Sequence, residues 1–251
     1  MLRFERVSKR YVDSQGRGVN AVRELDLDVP NGSTVCLIGT SGSGKTTALK
    51  MVNRLIEPTS GKVLLNNRNV QDIDPIRLRR GIGYVIQRGG LFPHMTIEHN
   101  CGLLCRLEGW SREKTRARVA ELLELVNLDP AQFAHRSPRE LSGGQQQRVG
   151  VARALALDPS VVLLDEPFGA LDPITRTQLH EEFRQLTSRV KKTVLLVTHD
   201  MAEAFKLGDR VALMNEGALV QCGTQADFEQ RPANEFVSQF VSEHFLDGSQ
   251  S

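Results

Sequence analysis

Residues 39–46 read Gly-Thr-Ser-Gly-Ser-Gly-Lys-Thr, and that spacing is suited to holding phosphate. Gly39, Gly42 and Gly44 allow backbone conformations that a side chain blocks, so successive N–H groups from Gly39 through Thr40, Ser41, Ser43 and Gly44 can point inward at phosphate oxygens. Lys45 can then reach the β- and γ-phosphates, and the Thr46 hydroxyl can meet Mg²⁺. A plain glycine turn before a helix explains the glycines but neither the lysine nor the paired Thr46 and Thr47. A second group, Val161-Val162-Leu163-Leu164-Asp165-Glu166, sets two carboxylates just past an apolar run. Burying that strand end makes paired carboxylates costly unless a cation or proton compensates. A Mg²⁺ held through water by Asp165 supplies compensation, and Glu166 is left to orient or deprotonate an attacking water. The third group is Leu141-Ser142-Gly143-Gly144-Gln145. Ser142 has the character of a helix N-cap, and Gly143 and Gly144 leave backbone donors open at the helix start, which makes a second anion-facing element. The three groups together predict ATP binding and cleavage of its terminal phosphate.

Such residues need a scaffold. Short apolar runs alternate with helical patterns, which predicts an α/β fold with a largely parallel sheet. Thr34–Gly39 reads as a buried strand running into the glycine loop, and Lys45–Leu55 as the helix that follows. Lys62–Leu65 and Gly83–Gln87 read as strands, with Asn66-Asn67 a turn. Val161–Leu164 and Thr193–Thr198 are β-branched or apolar runs of the same kind. Arg210–Met214 and Ala218–Cys222 flank a hairpin signal at Asn215-Glu216-Gly217. Val19–Val29 alternates, which suggests antiparallel strands near the N-terminus. From about Gly90 to Arg153 helical periodicity replaces strand signals; Ser111 starts one helix with Val119, Leu122, Leu123 and Val126 on its apolar stripe. This stretch reads as a helical subdomain inserted into the core. Residues 1–251 are thus expected to form one domain: a core from about 1–89 and 154–240, the insertion from about 90–153, and a tail at 241–251 whose last residues, Asp247–Ser251, fray.

Composition sets bounds. A net charge of +2 argues against bulk nucleic-acid binding. No run approaches the roughly 18 apolar residues of a membrane span, and the N-terminus lacks the apolar core of a signal peptide. The chain is therefore expected in the cytosol. Cys36, Cys101, Cys105 and Cys222 complete no metal-ligand set and read as small buried hydrophobes. His180, in the polar stretch Gln178–Arg189, reads as a solvated surface residue, and Trp110 and His135 as local packing or capping groups.

With the Leu-Ser-Gly-Gly-Gln run followed by Gln-Gln-Arg-Val, the chain resembles over nearly its whole length the nucleotide-binding subunit of an ABC transporter. The resemblance implies a P-loop NTPase (RecA-like) core with an N-terminal antiparallel β subdomain and an inserted α-helical subdomain. It implies Gln87 as a glutamine that contacts the metal and reacting phosphate, His199 in Leu-Val-Thr-His-Asp as a γ-phosphate contact, Asp172 in the turn Ala170-Leu171-Asp172, and Tyr11 as an aromatic that stacks on adenine. It implies that Ser142–Gln145 face ATP held by a second copy, in a head-to-tail homodimer with two nucleotides between the protomers. Stretches such as Leu91-Phe92-Pro93-His94-Met95-Thr96 and His199-Asp200-Met201-Ala202-Glu203-Ala204 resemble the ATPases of bacterial osmoprotectant importers, which take up glycine betaine, choline or carnitine. Importers of amino acids share much of this text. A multispan permease and, indirectly, an extracytoplasmic substrate-binding protein are the implied partners, with the chain at the cytoplasmic face of the plasma membrane. Leu91, Phe92 and Met95 would split between the core and a contact with the permease. Too few residues separate Gln87 from Glu140 for the long coiled coil of chromosome-type members, and ribosome-type members usually carry two such domains. Larger members of the osmoprotectant group add a pair of CBS modules, which a sequence of 251 residues is expected to lack.

Overall fold

The computed structural model describes residues 1–12, 15–86, 90–169 and 171–246, without the side chains of 244–246. The expectations for Gln87, Ala170 and the tail Asp247–Ser251 lie outside the described residues. In chain order the elements are β1 (Leu2–Val12), β2 (Gly18–Val29), β3 (Thr34–Gly39), α1 (Lys45–Val52), β4 (Ser60–Leu65), β5 (Arg68–Asn69), α2 (Pro75–Arg80), β6 (Ile82–Val85), α3 (Ile97–Cys101), α4 (Leu103–Leu107), α5 (Arg112–Leu125), α6 (Pro130–Phe133), α7 (Gly143–Ala154), β7 (Val161–Asp165), α8 (Pro173–Val190), β8 (Thr193–Val197), α9 (Met201–Leu207), β9 (Arg210–Asn215), β10 (Ala218–Gly223), α10 (Gln225–Gln230) and α11 (Glu235–Leu246). They form two compact units, residues 1–79 with 193–251, and residues 80–192.

In the first unit an antiparallel sheet runs in the order β2-β1-β4-β5. Its alternating sequence puts Leu2, Phe4, Val7, Val22, Leu25, Leu27 and Val29 on the buried side, as a half-buried strand requires. The antiparallel strands expected around Val19–Val29 are therefore present. The other sheet is built around β3, which lies parallel to β8 on one edge and to β9 on the other. Every residue of β3 is buried, which explains an apolar run without alternation. β9 and β10 form the expected antiparallel hairpin; Glu216 and Gly217 at its tip both take left-handed conformations, φ 47° and 85°, the twist a tight hairpin needs. The strand boundaries shift by one or two residues, and one helix boundary by three. Helix α1 ends at Val52, not Leu55, because Arg54 turns left-handed (φ 54°). Its guanidinium donates to the Ile73 carbonyl at 2.8 Å and so holds the chain in its exit path.

In the second unit β6 and β7 pair in parallel, and α3 to α7 lie between them in sequence. Ser111 caps α5 by accepting the Lys114 N–H at 3.2 Å. Val119, Leu122, Leu123 and Val126 are all buried, as the stripe predicted. Trp110 packs locally beneath the Lys114 ammonium, 3.9 Å from the ring centre. His135 lies on the surface 3.9 Å from Glu98. His180 corrects the sequence reading: it is only 6% exposed. Its ring meets Phe168 edge to face at 4.9 Å, and the polar neighbours on α8 conceal a buried stripe of Leu179, His180, Phe183 and Leu186. Cys36, Cys101 and Cys105 are buried and Cys222 is half-buried; all four are free thiols. Among the described residues no helix is long and apolar enough to cross a membrane.

Candidate nucleotide site

In the first unit, β3 ends at Gly39 and the chain loops through Thr40–Gly44 into α1. Gly39 has φ 141°, and a Cβ there would stand 2.0 Å from the Met214 carbonyl oxygen. Gly44 has φ 97°, and its Cβ would stand 2.2 Å from the Ala21 carbonyl oxygen. Both positions exclude a side chain on conformation and on space; Gly42, at φ 77° with open surroundings, does so on conformation alone. Helix α1 follows Gly44, which supplies no side-chain cap, and a helix start of this kind is suited to meeting an anion. Ser43 and Lys45 are buried, whereas Thr46 and Thr47 are half-buried. Lys45 Nζ donates to the Gly39 carbonyl at 2.9 Å, the Thr40 carbonyl at 2.8 Å and Ser43 Oγ at 3.3 Å. The ammonium is thus curled over the loop whose N–H groups would cradle phosphate.

His199 is exposed just beyond β8. It sits between Thr198, whose N–H extends pairing to the Leu37 carbonyl at 3.1 Å, and Asp200, which caps α9 by accepting the Glu203 N–H at 2.9 Å. A cavity borders Gly39, Thr40, Ser41 and His199, and Phe236 and Phe240 of α11 form another wall. That wall was not foreseen; its only trace in the sequence is two aromatics four residues apart. Tyr11, near the end of β1, is 43% exposed, with Lys9 Nζ 5.1 Å from its ring centre. It is a surface aromatic with an accessible face, not a core residue.

The second unit carries the other candidates. Asp165 closes β7 and is 5% exposed. Glu166 follows with φ 44°, a conformation that costs a non-glycine residue about 1–3 kcal/mol and recurs where side chains must be aimed. The Tyr84 hydroxyl donates to Asp165 Oδ2 at 3.5 Å; burial, then the Asp165 charge, pushes the phenol up to about 12. Sequence reading gave Tyr84 no such role. Ser142 caps α7: its Oγ accepts the Gln145 N–H at 3.3 Å, while Gln145 Oε1 accepts the Ser142 N–H at 3.0 Å. This reciprocal box gives Gln145 a local capping role. Gly144 is buried, and a Cβ there would come within 2.8 Å of Thr175 Cγ2. The N-termini of α7 and α8 therefore lie side by side. Asp172 caps α8 by accepting the Thr175 N–H at 3.0 Å, and its hydrogen bonds with Thr175 hold the carboxyl below its ordinary range. Ser142, Gly143 and Asp172 are exposed, so two positive helix ends and their caps face outward together.

The family model described as ABC transporter matches residues 22–169. The osmoprotectant import ATP-binding protein of Salmonella typhimurium is 50% identical over 243 residues, which are 97% of this chain and 64% of that protein. The glycine betaine/carnitine/choline transport ATP-binding protein of Bacillus subtilis is 52% identical over 246 residues, 98% of this chain and 63% of that one. The chain spans less than two thirds of the length of these two relatives. Among solved structures, the dimeric form of a bacterial ABC transporter cassette superposes with a TM-score of 0.79 at 35% identity, covering 89% of this chain and 98% of the cassette. This likeness identifies the P-loop NTPase fold.

Proposed function

As the chain belongs to the ABC transporter family, we propose that it is the ATP-hydrolysing subunit of an ABC importer that drives uptake of quaternary-amine osmoprotectants such as glycine betaine, choline or carnitine. The observation that carries the ATPase part is the loop from Gly39 to Thr46. It joins sterically enforced glycines, an uncapped helix start and a buried lysine ammonium curled over the loop, a combination suited to the triphosphate of ATP. The cargo rests on likeness to relatives named for osmoprotectant import and for glycine betaine, carnitine and choline transport.

In this reading Lys45 leaves the Gly39 and Thr40 carbonyls to bind the β- and γ-phosphates, and Tyr11 stacks on adenine. The hydroxyl of Thr46 and the carboxylate of Asp165 are hard oxygen donors fit for Mg²⁺, which takes few protein ligands beside phosphate and water; Gln87 would join them. That ion would supply charge neutralisation at the phosphate oxygens. Glu166 orients the attacking water and accepts its proton, and His199 holds the γ-phosphate. Ser142, Gly143, Gly144 and Gln145, with Asp172 beside them, meet the nucleotide of a second copy, so the working form is a head-to-tail dimer. Leu91, Phe92 and Met95 split between inward packing and docking on a permease, with the exposed Phe92 on the docking side; such docking puts the chain at the cytoplasmic membrane face with a substrate-binding protein beyond.

Deletion of the gene is expected to abolish the uptake of labelled glycine betaine, choline or carnitine that depends on it, and the Lys45→Ala variant should fail to restore it. Unchanged uptake of all three, with ATP hydrolysis by the purified chain intact, would refute the cargo and point to an importer of amino acids or other small solutes.

A further inference from the structure

The stretch 90–96 before α3 displays Phe92, which is 39% exposed, while Leu91 and Met95 are half-buried. A surface segment of this kind ordinarily moves freely, but this one is clamped from below. Asn100 is fully buried on α3, and its amide is wholly directed at the segment's backbone. Its Oδ1 accepts the Phe92 N–H at 2.7 Å. Its Nδ2 donates toward the carbonyls of Phe92, Met95 and Thr96 at 3.1, 3.2 and 3.0 Å. The Met95 N–H closes the turn onto the Phe92 carbonyl at 3.1 Å. Helix α3 is fixed in turn, since the Ile97 and Glu98 N–H groups donate to the Arg136 and Ala134 carbonyls, each at 2.9 Å. At the other end of the segment, Arg153 Nη1 donates to the Gly90 carbonyl at 2.5 Å. Arg153 belongs to the last turn of α7, whose first turn is capped by Ser142; about 16 Å of helix joins the two.

We propose that Asn100 and Arg153 are positioning residues for partner docking: Asn100 holds the 92–96 turn with Phe92 facing outward, and Arg153 ties the base of that turn to the helix that begins at Ser142. The inference rests on the reading of the chain as a permease-coupled ATPase. A turn already in its bound form loses little freedom on docking. Because α7 is a continuous helix, a push on the turn is delivered to the end that carries Ser142 and Gly143.

Four variants test this. Asn100→Asp keeps the shape and the acceptor but sets a carboxylate against three carbonyls; Asn100→Ala removes the clamp. Arg153→Ala removes the tie, and Arg153→Lys keeps a donor for one carbonyl. Hydrogen exchange on the purified chain should show the Phe92 and Met95 amides exchanging about tenfold or more faster in both Asn100 variants. Hydrolysis by the purified chain should keep kcat and KM within about twofold of wild type. Recovery of the chain with its permease from detergent-solubilised membranes should fall about tenfold for Asn100→Asp, Asn100→Ala and Arg153→Ala, and should return with Arg153→Lys. Unchanged exchange overturns the clamp, and undiminished recovery of the variants overturns the positioning role while the function stands. A wild-type chain that recovers no permease overturns the function and the docking role with it. Should Asn100→Ala fail to fold, the Arg153 pair decides the same question.

Discussion

Gly44→Ala is the sharpest test of the phosphate loop's geometry, because Gly42→Ala provides an internal control. An alanine at 44 must adopt φ 97° and place its Cβ 2.2 Å from the Ala21 carbonyl oxygen and 3.2 Å from Val22 Cγ2. An alanine at 42 must adopt φ 77° but meets nothing within 4 Å. The left-handed conformation alone costs about 1.5 kcal/mol. Forcing a methyl against the β2 backbone adds about 2 kcal/mol for overpacking, which brings Gly44→Ala to about 3.5 kcal/mol. At about 3 °C per kcal/mol for a chain of this size, Gly42→Ala should melt about 5 °C lower than wild type and Gly44→Ala about 10 °C lower. Differential scanning calorimetry without nucleotide isolates the fold from ligand stabilisation. Equal shifts, or a larger one for Gly42→Ala, would refute the argument that contact with β2 sets the demand for glycine at 44.

Other consequences follow from single contacts. Ser142→Ala removes the α7 cap and should cost about 1 kcal/mol, with Ser142→Thr recovering most of it; a melting temperature equal to wild type would dismiss the capping box. The Asp172 carboxyl is held below its ordinary 3.8 by Thr175, so below pH 3.8 the unfolded chain binds more protons than the folded one. The cap's stabilisation is therefore complete above pH 3.8 and is lost as pH falls through the folded value. Asp172→Asn should flatten that part of an acid-unfolding profile, and an unaltered profile would contradict the link. Burial pushes the Cys36 thiol up, and burial first of all raises Cys101 to about 12. Both should resist a disulfide reagent in the native chain at mildly alkaline pH and react at once in denaturant; prompt native reaction of all four thiols would be inconsistent with these sites.

What the sequence disclosed depended on how local the cause was. The glycine loop was legible because its constraint lies in the backbone of the residues themselves: φ 141° at Gly39 and 97° at Gly44. The uninterrupted apolar runs of β3, β7 and β8 likewise announced strands buried on both faces. Capping by Ser142 was legible; the reply of the Gln145 side chain, made from within the same turn, was read past. Effects that need a distant partner were hidden. His180 has polar neighbours in sequence, yet it is buried by the Phe168 ring. Arg54 ends α1 early through a bond to Ile73. Asn100 reads as an ordinary helix residue until the turn it holds is seen, and nothing near Gly39 in sequence indicates that Phe236 and Phe240 wall the same cavity.

The central claim is that ATP is held jointly by the glycine loop of one copy and the Ser142 helix end of another. Glu166→Gln should bind ATP without turnover, and sedimentation of this variant tests the claim most directly. Without nucleotide it should run as a monomer, and with saturating MgATP as a species of about twice that mass, a shift lost when Ser142→Arg is added. A Glu166→Gln chain that binds MgATP and remains monomeric would contradict the account.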